Sequence, residues 1–358
     1  MSDKRIREPF WIRMRPSIVF LGAALSVSGC SSPSSAPRSH SGGKPVVVQQ
    51  PYVRISKSDS NLLELQIAVR KFVAVRGRGP AIWLTGVSHV GQSNYYAALQ
   101  RRLDEQGLVL FEGIGDHSDS PSRSEVAKPM MRRSDASSSE KGGSSLQSEM
   151  ASSLGLVFQL EAIDYSSPNF RNSDLSIQEL RGVMSERPSE PGQAGAAQSF
   201  ETLLQMMQGD SFLNAIMRML MSFLGSNPKL QALTKIALME SIAVMDGDPA
   251  QLRGLPPELH QLLVVLVQKR NQKVVDDLKT EIKRKKGPES IAVFFGAGHM
   301  PDLELQLRER LKYKPVEDAW LTAFSVDMRQ TAVSPAEVEF IRGLVKREME
   351  QLQSQKAQ

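Results

Sequence analysis

The sequence predicts an α/β protein whose central sheet is built from two strand, Gly-x-x-His, helix, strand repeats, with a large helical insertion between them. Three observations predict it. Ala81-Ile82-Trp83-Leu84-Thr85-Gly86-Val87-Ser88-His89 and Ile291-Ala292-Val293-Phe294-Phe295-Gly296-Ala297-Gly298-His299 are both short apolar runs that end in Gly-x-x-His. Each leads into a helical pattern and then a second short run. Between them, over about residues 149–286, Leu and Met recur at three- and four-residue spacings.

The chain opens with a basic stretch carrying Lys4, Arg5, Arg7, Arg13 and Arg15, an apolar run over 18–27, and Val27-Ser28-Gly29-Cys30. That is the layout of a secretory signal, and its apolar run is far shorter than the ~20 residues that span a bilayer. The tetrapeptide resembles the lipobox of bacterial lipoproteins. The resemblance implies a signal peptide over 1–29, lipid on Cys30 and a place in the cell envelope. Ser31 leaves the chain without an aspartate after the cysteine, which favours the outer membrane over the inner. Met14 opens a compact alternative leader.

Cys30 is the single cysteine, so an intrachain disulfide, a thiolate metal site and a thiol catalyst are excluded for the mature protein. The formal charge is +5, and removing a leader with five basic and two acidic residues leaves about +2. Nucleic-acid binding has no electrostatic support from that balance.

Residues 30–45 are Ser, Pro, Gly and basic residues and read as a flexible tether to a domain over 46–330. Residues 63–73 alternate as a strand does, with a helix as the alternative. The first repeat reads as a strand at 81–85, a helix over 93–105 and a strand over 108–111. A Ser-rich excursion over 116–148 is too long for a compact connection. Within the insertion, Met206, Met207, Met217, Met219 and Met221 read as core packing before an adaptable binding groove. Lys283-Arg284-Lys285-Lys286 before Gly287-Pro288 reads as a helix end. The second repeat gives a strand at 291–295, a helix over 301–311 and a strand over 319–324, and a C-terminal helix follows over 331–358.

In an open α/β sheet, ligand-binding groups gather beyond the carboxyl ends of the strands, where both repeats put their histidines. Gly86 and Gly296 are expected to turn the chain sharply through backbone that other residues resist. Glu112 ends the strand at 108–111 at the same edge. His89, His299 and Glu112 together make a ligand set suited to a divalent transition metal with open positions. His40, His117 and His260 have no such setting.

These residues resemble the TraB/Tiki superfamily, which shares two Gly-x-x-His motifs, a glutamate after the strand following the first, and an arginine late in the helical region. The likeness spans about residues 63–324 and is densest at 83–89, 109–112 and 295–301. Residues 163–175 look like the Tyr/Asn/Asp segment of bacterial members. Members often carry Glu-Arg-Asn before the second repeat; here Lys269-Arg270-Asn271 keeps the arginine and asparagine and departs at the first position.

Because Tiki members are described as metal-dependent proteases, the resemblance implies a metallopeptidase-like hydrolase using Mn, Co or Zn, with a peptide or protein substrate. His89, His299 and Glu112 surround the ion; Glu112 either binds it or, just outside it, serves as general base. Arg270 meets the developing oxyanion and Asn271 orients substrate or ligand. Haem-binding relatives give the alternative, a non-catalytic haem- or metal-binding lipoprotein.

Overall fold

The computed structural model describes residues 50–77, 79–113, 146–185, 225–244, 262 and 265–354. The signal peptide, Cys30, the tether, the five methionines at 206–221, His40, His117, His260 and nearly all of the Ser-rich excursion lie outside them. Among the described residues no helix is long and apolar enough to cross a membrane.

The protein is α/β, and its described residues form a mixed central sheet of seven strands. In chain order, β1 (Val53–Asp59) and β2 (Leu62–Ala74) form an antiparallel pair, and β3 (Ala81–Val87) runs antiparallel to β2. Next come β4 (Val90–Gly91), α1 (Ser93–Asp104) and β5 (Leu108–Phe111). The segment expected to be mostly helical holds α2 (Leu146–Ser153), β6 (Val157–Phe158), α3 (Gln159–Ala162), β7 (Phe170–Asn172), α4 (Ile177–Ser185) and α5 (Pro228–Val244). A π-helical turn (Val265–Lys269) then leads into α6 (Arg270–Ile282), followed by β8 (Ser290–Gly296), a 3₁₀ turn (Ala297–His299) and α7 (Met300–Glu309). β9 (Tyr313–Asp327), α8 (Met328–Thr331) and α9 (Pro335–Ser354) complete the described elements.

β8 lies between β3 and β5, and β7 adds to the far side of β5, so β3, β8, β5 and β7 are four neighbouring parallel strands. β2 is paired along its whole length with β9; its other side is shared by β1, opposite residues 62–67, and β3, opposite 69–72. β9 is antiparallel to β2 and therefore runs the same way as β8. It is much longer than the expected strand at 319–324. Residues 314–318, Lys-Pro-Val-Glu-Asp, give no apolar signal, and they join the strand because β2 offers partners all the way to Ala74.

Both faces of the sheet are covered, which is why β8 is a continuous apolar run. Its Ile291, Val293 and Phe295 pack in one cluster with Val274, Val275 and Leu278 of α6 and Leu303 and Leu307 of α7. The alternate residues Ala292 and Phe294 pack in another with Tyr95, Tyr96, Leu99 and Leu103 of α1 and Ile236 and Met239 of α5. α9 closes on α5 through Lys229 to Glu337 and Arg342 to Glu240, both at 2.8 Å, and buries Val338 in the core.

One charged group sits deep in this framework. Arg70 of β2, 1% exposed, reaches Glu304 of α7 at 2.6 Å and grips both oxygens of Asp318 on β9. Tyr52 donates to the same Glu304 oxygen at 2.7 Å, and the carbonyls of Gln50 and Pro51 take two further Arg70 contacts. Every charge is paired and hydrogen-bonded, the condition for holding ions inside a protein.

Candidate active site at the ends of four parallel strands

The carboxyl ends of β3, β8, β5 and β7 carry His89, His299, Glu112 and Asp174 in that spatial order. The order follows from the insertion of β8 between β3 and β5: it makes the two Gly-x-x-His turns neighbours and places Glu112 on the other side of the second turn. α6 adds Arg270 and Asn271 at its first two positions, where the π-helical turn passes into α-helix. Single π turns recur at functional sites because they re-aim the residues around them.

Two tyrosines of α1 hold the first turn. Tyr95 accepts from the Ser88 amide at 3.3 Å and Tyr96 donates to the Ser88 carbonyl at 2.8 Å, fixing both sides of the residue before His89. His89 itself is exposed. Its Nδ1 meets Oε1 of the buried Gln159 at 2.9 Å, and its carbonyl accepts from the Gln159 amide at 2.9 Å. Gln159 Nε2 donates onward to the Tyr165 hydroxyl at 2.8 Å. The short pairing of β4 with β6 brings this segment beside the turn.

His299 is buried, and its Nδ1 lies 2.7 Å from Asn271 Oδ1. Asn271 Nδ2 donates to the His299 carbonyl at 3.1 Å and to Asp302 at 2.8 Å. Both of those partners can only accept, so the amide orientation is forced, its oxygen faces the ring, and His299 Nδ1 carries the proton. His299 Nε2 is thereby left without a proton, 3.7 Å from Glu112 Oε1 and 3.5 Å from Arg270 Nη1. Asn271 is fully buried, with its amide against the His299 ring and carbonyl.

Glu112 is the hub. Its Oε2 accepts from the Gly296 amide and its Oε1 from Arg270 Nη2, both at 2.7 Å. Arg270 also donates through Nε and Nη2 to Asp174, at 2.7 and 2.5 Å. Burial opposes ionisation of Glu112, but the Arg270 charge, backed by the Gly296 amide, holds its carboxyl well below the usual carboxylate range. Burial pushes His299 down to about 4, with Glu112 opposing and Arg270 adding to the shift, so the ring is neutral near pH 7.

The two motif glycines act differently from expectation. Gly86 lies inside β3 and Gly296 has φ −48°, so neither uses the left-handed backbone expected of a sharp turn. They serve close approach. A Cβ on Gly296 would stand 3.3 Å from Glu112 Oε2 and 3.4 Å from His89 Nε2, and one on Gly86 would stand 3.1 Å from Ile67 Cγ2.

The geometry thus brings together His89, Glu112, His299 and Arg270. Among the described residues no three His, Cys, Asp or Glu side chains stand at the spacing of a ready-made metal centre. The donor chemistry nevertheless fits a divalent ion. His299 offers a neutral Nε2, and His89 turns its Nε2 towards Gly296 beside Glu112; Glu112 keeps unshared lone pairs; and the Glu112 and Asp174 carboxylates outnumber the Arg270 charge they surround. His89, His299 and Glu112 are the groups able to hold such an ion. Sequence reasoning had no role for Gln159, Tyr165, Asp174 or Asp302. A buried acid or amide leaves no local mark, and only the likeness of residues 163–175 pointed to that stretch.

No family model matches the chain, and no curated protein and no solved structure matches it.

Proposed function

We propose that this protein is a metal-dependent hydrolase of the TraB/Tiki kind, acting on peptide bonds and anchored to a membrane of the cell envelope through lipid on Cys30. The reading includes the finer architecture: two strand, Gly-x-x-His, helix, strand units, β3-α1-β5 and β8-α7-β9, flanking a large and mainly helical insertion.

One observation carries it. The Nε2 atom of His299 faces a carboxylate whose other neighbour is a buried guanidinium, with His89 Nε2 against the same glycine that donates to that carboxylate. When bound by His89, His299 and Glu112, a divalent ion supplies Lewis acidity to water and to a carbonyl oxygen. The chain's own groups do the rest. Asn271 and Gln159 hold the two imidazoles with Nε2 forward. Glu112, kept ionised by Arg270, contributes charge and a ligand atom or, just outside the ion, serves as general base. Arg270 Nη1 faces the site beside His299 and meets negative charge that develops on a substrate oxygen. The haem-carrier alternative draws no such support, because an axial histidine does not call for a carboxylate paired with a guanidinium beside it.

The test is cleavage of a library of unstructured peptides by the purified domain from residue 46 onward, with manganese, cobalt or zinc. Cleavage abolished by chelation and by Glu112→Gln supports the proposal. An intact library under all three metals, with stoichiometric haem uptake that needs His89 or His299, overturns it in favour of the carrier.

A further inference from the structure

We infer that Asp174 is the positioning residue for Arg270, a buried carboxylate that fixes the guanidinium so that a single N–H remains to face a reacting oxygen. Its kinetic consequence rests on the hydrolase reading; its structural content does not.

The Asp174 side chain is wholly buried, with 0% exposure. Burying a carboxylate is costly unless each oxygen is hydrogen-bonded, and here each is used twice. Oδ1 accepts from Arg270 Nε at 2.7 Å and the Leu175 amide at 2.8 Å; Oδ2 accepts from Arg270 Nη2 at 2.5 Å and the Gly113 amide at 3.0 Å. The carboxylate is itself locked by both flanking strand ends. The Asp174 amide donates to Asn172 Oδ1 at 2.9 Å, and Asn172 Nδ2 donates to the Gly113 carbonyl at 2.6 Å.

A guanidinium has five N–H groups in a rigid plane. In Arg270, Nε and one Nη2 proton go to Asp174, the second Nη2 proton goes to Glu112, and an Nη1 proton reaches the Leu266 carbonyl at 3.3 Å. The last Nη1 proton points towards His299 Nε2 at 3.5 Å, too long for a strong bond. Because Asp174 grips one edge of the plane with both oxygens, the other edge has one direction open to it, the space beside His299. A lysine at 270 lacks that second edge. An ion pair that served stability alone would not need to hold the one side chain that also pairs with Glu112.

The test uses the domain from residue 46 onward and reads Arg270 directly. The Nε–H signal of Arg270, assigned by its loss in Arg270→Lys, should exchange with solvent at least about tenfold more slowly than that of an exposed arginine, as a clamped and buried donor does. Asp174→Asn, which keeps the shape and removes the charge, should abolish that protection while circular dichroism stays native. If Asp174→Asn does not fold, exchange in the unsubstituted protein decides. An unprotected Nε–H there, or protection that survives Asp174→Asn, overturns the inference.

Kinetics add an independent arm. Asp174→Asn should lower kcat by about 10²–10³-fold with KM within about threefold, and Asp174→Asn/Arg270→Ala should be no slower than Arg270→Ala alone, because Asp174 acts through the arginine. Additive losses overturn the positioning role. If the unsubstituted domain cleaves no peptide, the hydrolase reading fails by itself and the exchange result still decides on Asp174.

Discussion

Asn271 Nδ2 lies 2.8 Å from Asp302 Oδ2, and that contact decides which ring nitrogen of His299 carries its proton. The carboxylate takes the amide N–H, the amide oxygen turns to His299 Nδ1, and Nε2 is left with its lone pair towards Glu112. The behaviour of the site depends on such contacts one step behind the reacting groups.

Removing the amide should weaken metal binding more than the fold. Asn271→Ala leaves the His299 ring free to take the other tautomer and leaves Asp302 short of a donor. Titration calorimetry with manganese or zinc should show affinity reduced about 10–100-fold. Affinity equal to the parent's would mean the amide does not set the tautomer.

Filling the space at Gly296 should separate the ligands. In Gly296→Ala the new methyl meets both Glu112 Oε2 and His89 Nε2 at closer than ordinary contact, while the backbone angles suit any residue. Metal stoichiometry and peptide cleavage should fall, with a loss of stability of about 1 kcal/mol or less in urea melts. Gly296→Val should be worse in both assays. Full metal occupancy in the valine variant would remove the close-approach role.

Breaking the buried charge network around Arg70 should cost stability first. Arg70→Ala leaves Glu304, 2% exposed, without its main partner and Asp318 without its clamp. Denaturant unfolding should show a loss of about 3 kcal/mol, the lower end of the cost of breaking a buried pair, because Arg308 at 3.3 Å and the Tyr52 hydroxyl still reach Glu304. Arg70→Met together with Glu304→Leu should recover part of it. A loss below about 1 kcal/mol for Arg70→Ala would show that solvent reaches the cluster.

The start of α9 should loosen in acid. Ser334 and Glu337 bond reciprocally as a capping box, and Lys229 lies 2.8 Å from Glu337. The Lys229 contact first, then the Ser334 amide and hydroxyl, lower the Glu337 carboxyl to about 2. A folded-state pKa below the unfolded one gives stability that is present above about 4.5 and is lost as pH falls through about 2. The protection factors of the α9 amides, which correct for the slowing of intrinsic exchange in acid, should therefore fall over that window, and the fall should vanish in Glu337→Gln. Exchange that responds to pH equally in both proteins would assign the change elsewhere.

The lipid anchor has its own test. Cys30→Ala should abolish incorporation of labelled fatty acid and block processing of the leader. Label retained in the Cys30→Ala protein would end the lipoprotein reading.

Much of the parallel half of the fold was legible in the chain. Apolar runs at 81–85, 108–111 and 291–295 emerged as β3, β5 and β8, and the helical patterns at 93–105 and 301–311 as α1 and α7. A local apolar run or a helical period records which residues face a core, and those features need no knowledge of distant partners. The same signal missed half of β9, where Lys314 to Asp318 form an edge, and it missed the short β7, which adds a fourth parallel strand.

The site was legible in its residue types and not in its support. Two matching Gly-x-x-His turns and a glutamate at a strand end named His89, His299 and Glu112, because strand ends gather at one rim of such a sheet. Which strands are neighbours is a property of the sheet. Only the tertiary structure slid β8 between β3 and β5, swung Asp174 from β7 beneath Arg270, and set Gln159 and Asn271 behind the imidazoles. The sequence by itself determined the candidate groups, since the chemistry of each side chain is intrinsic. The tertiary structure decided their protonation, pairing and direction, since these depend on burial and on hydrogen-bond partners as far as 184 positions apart along the chain, as Glu112 and Gly296 are.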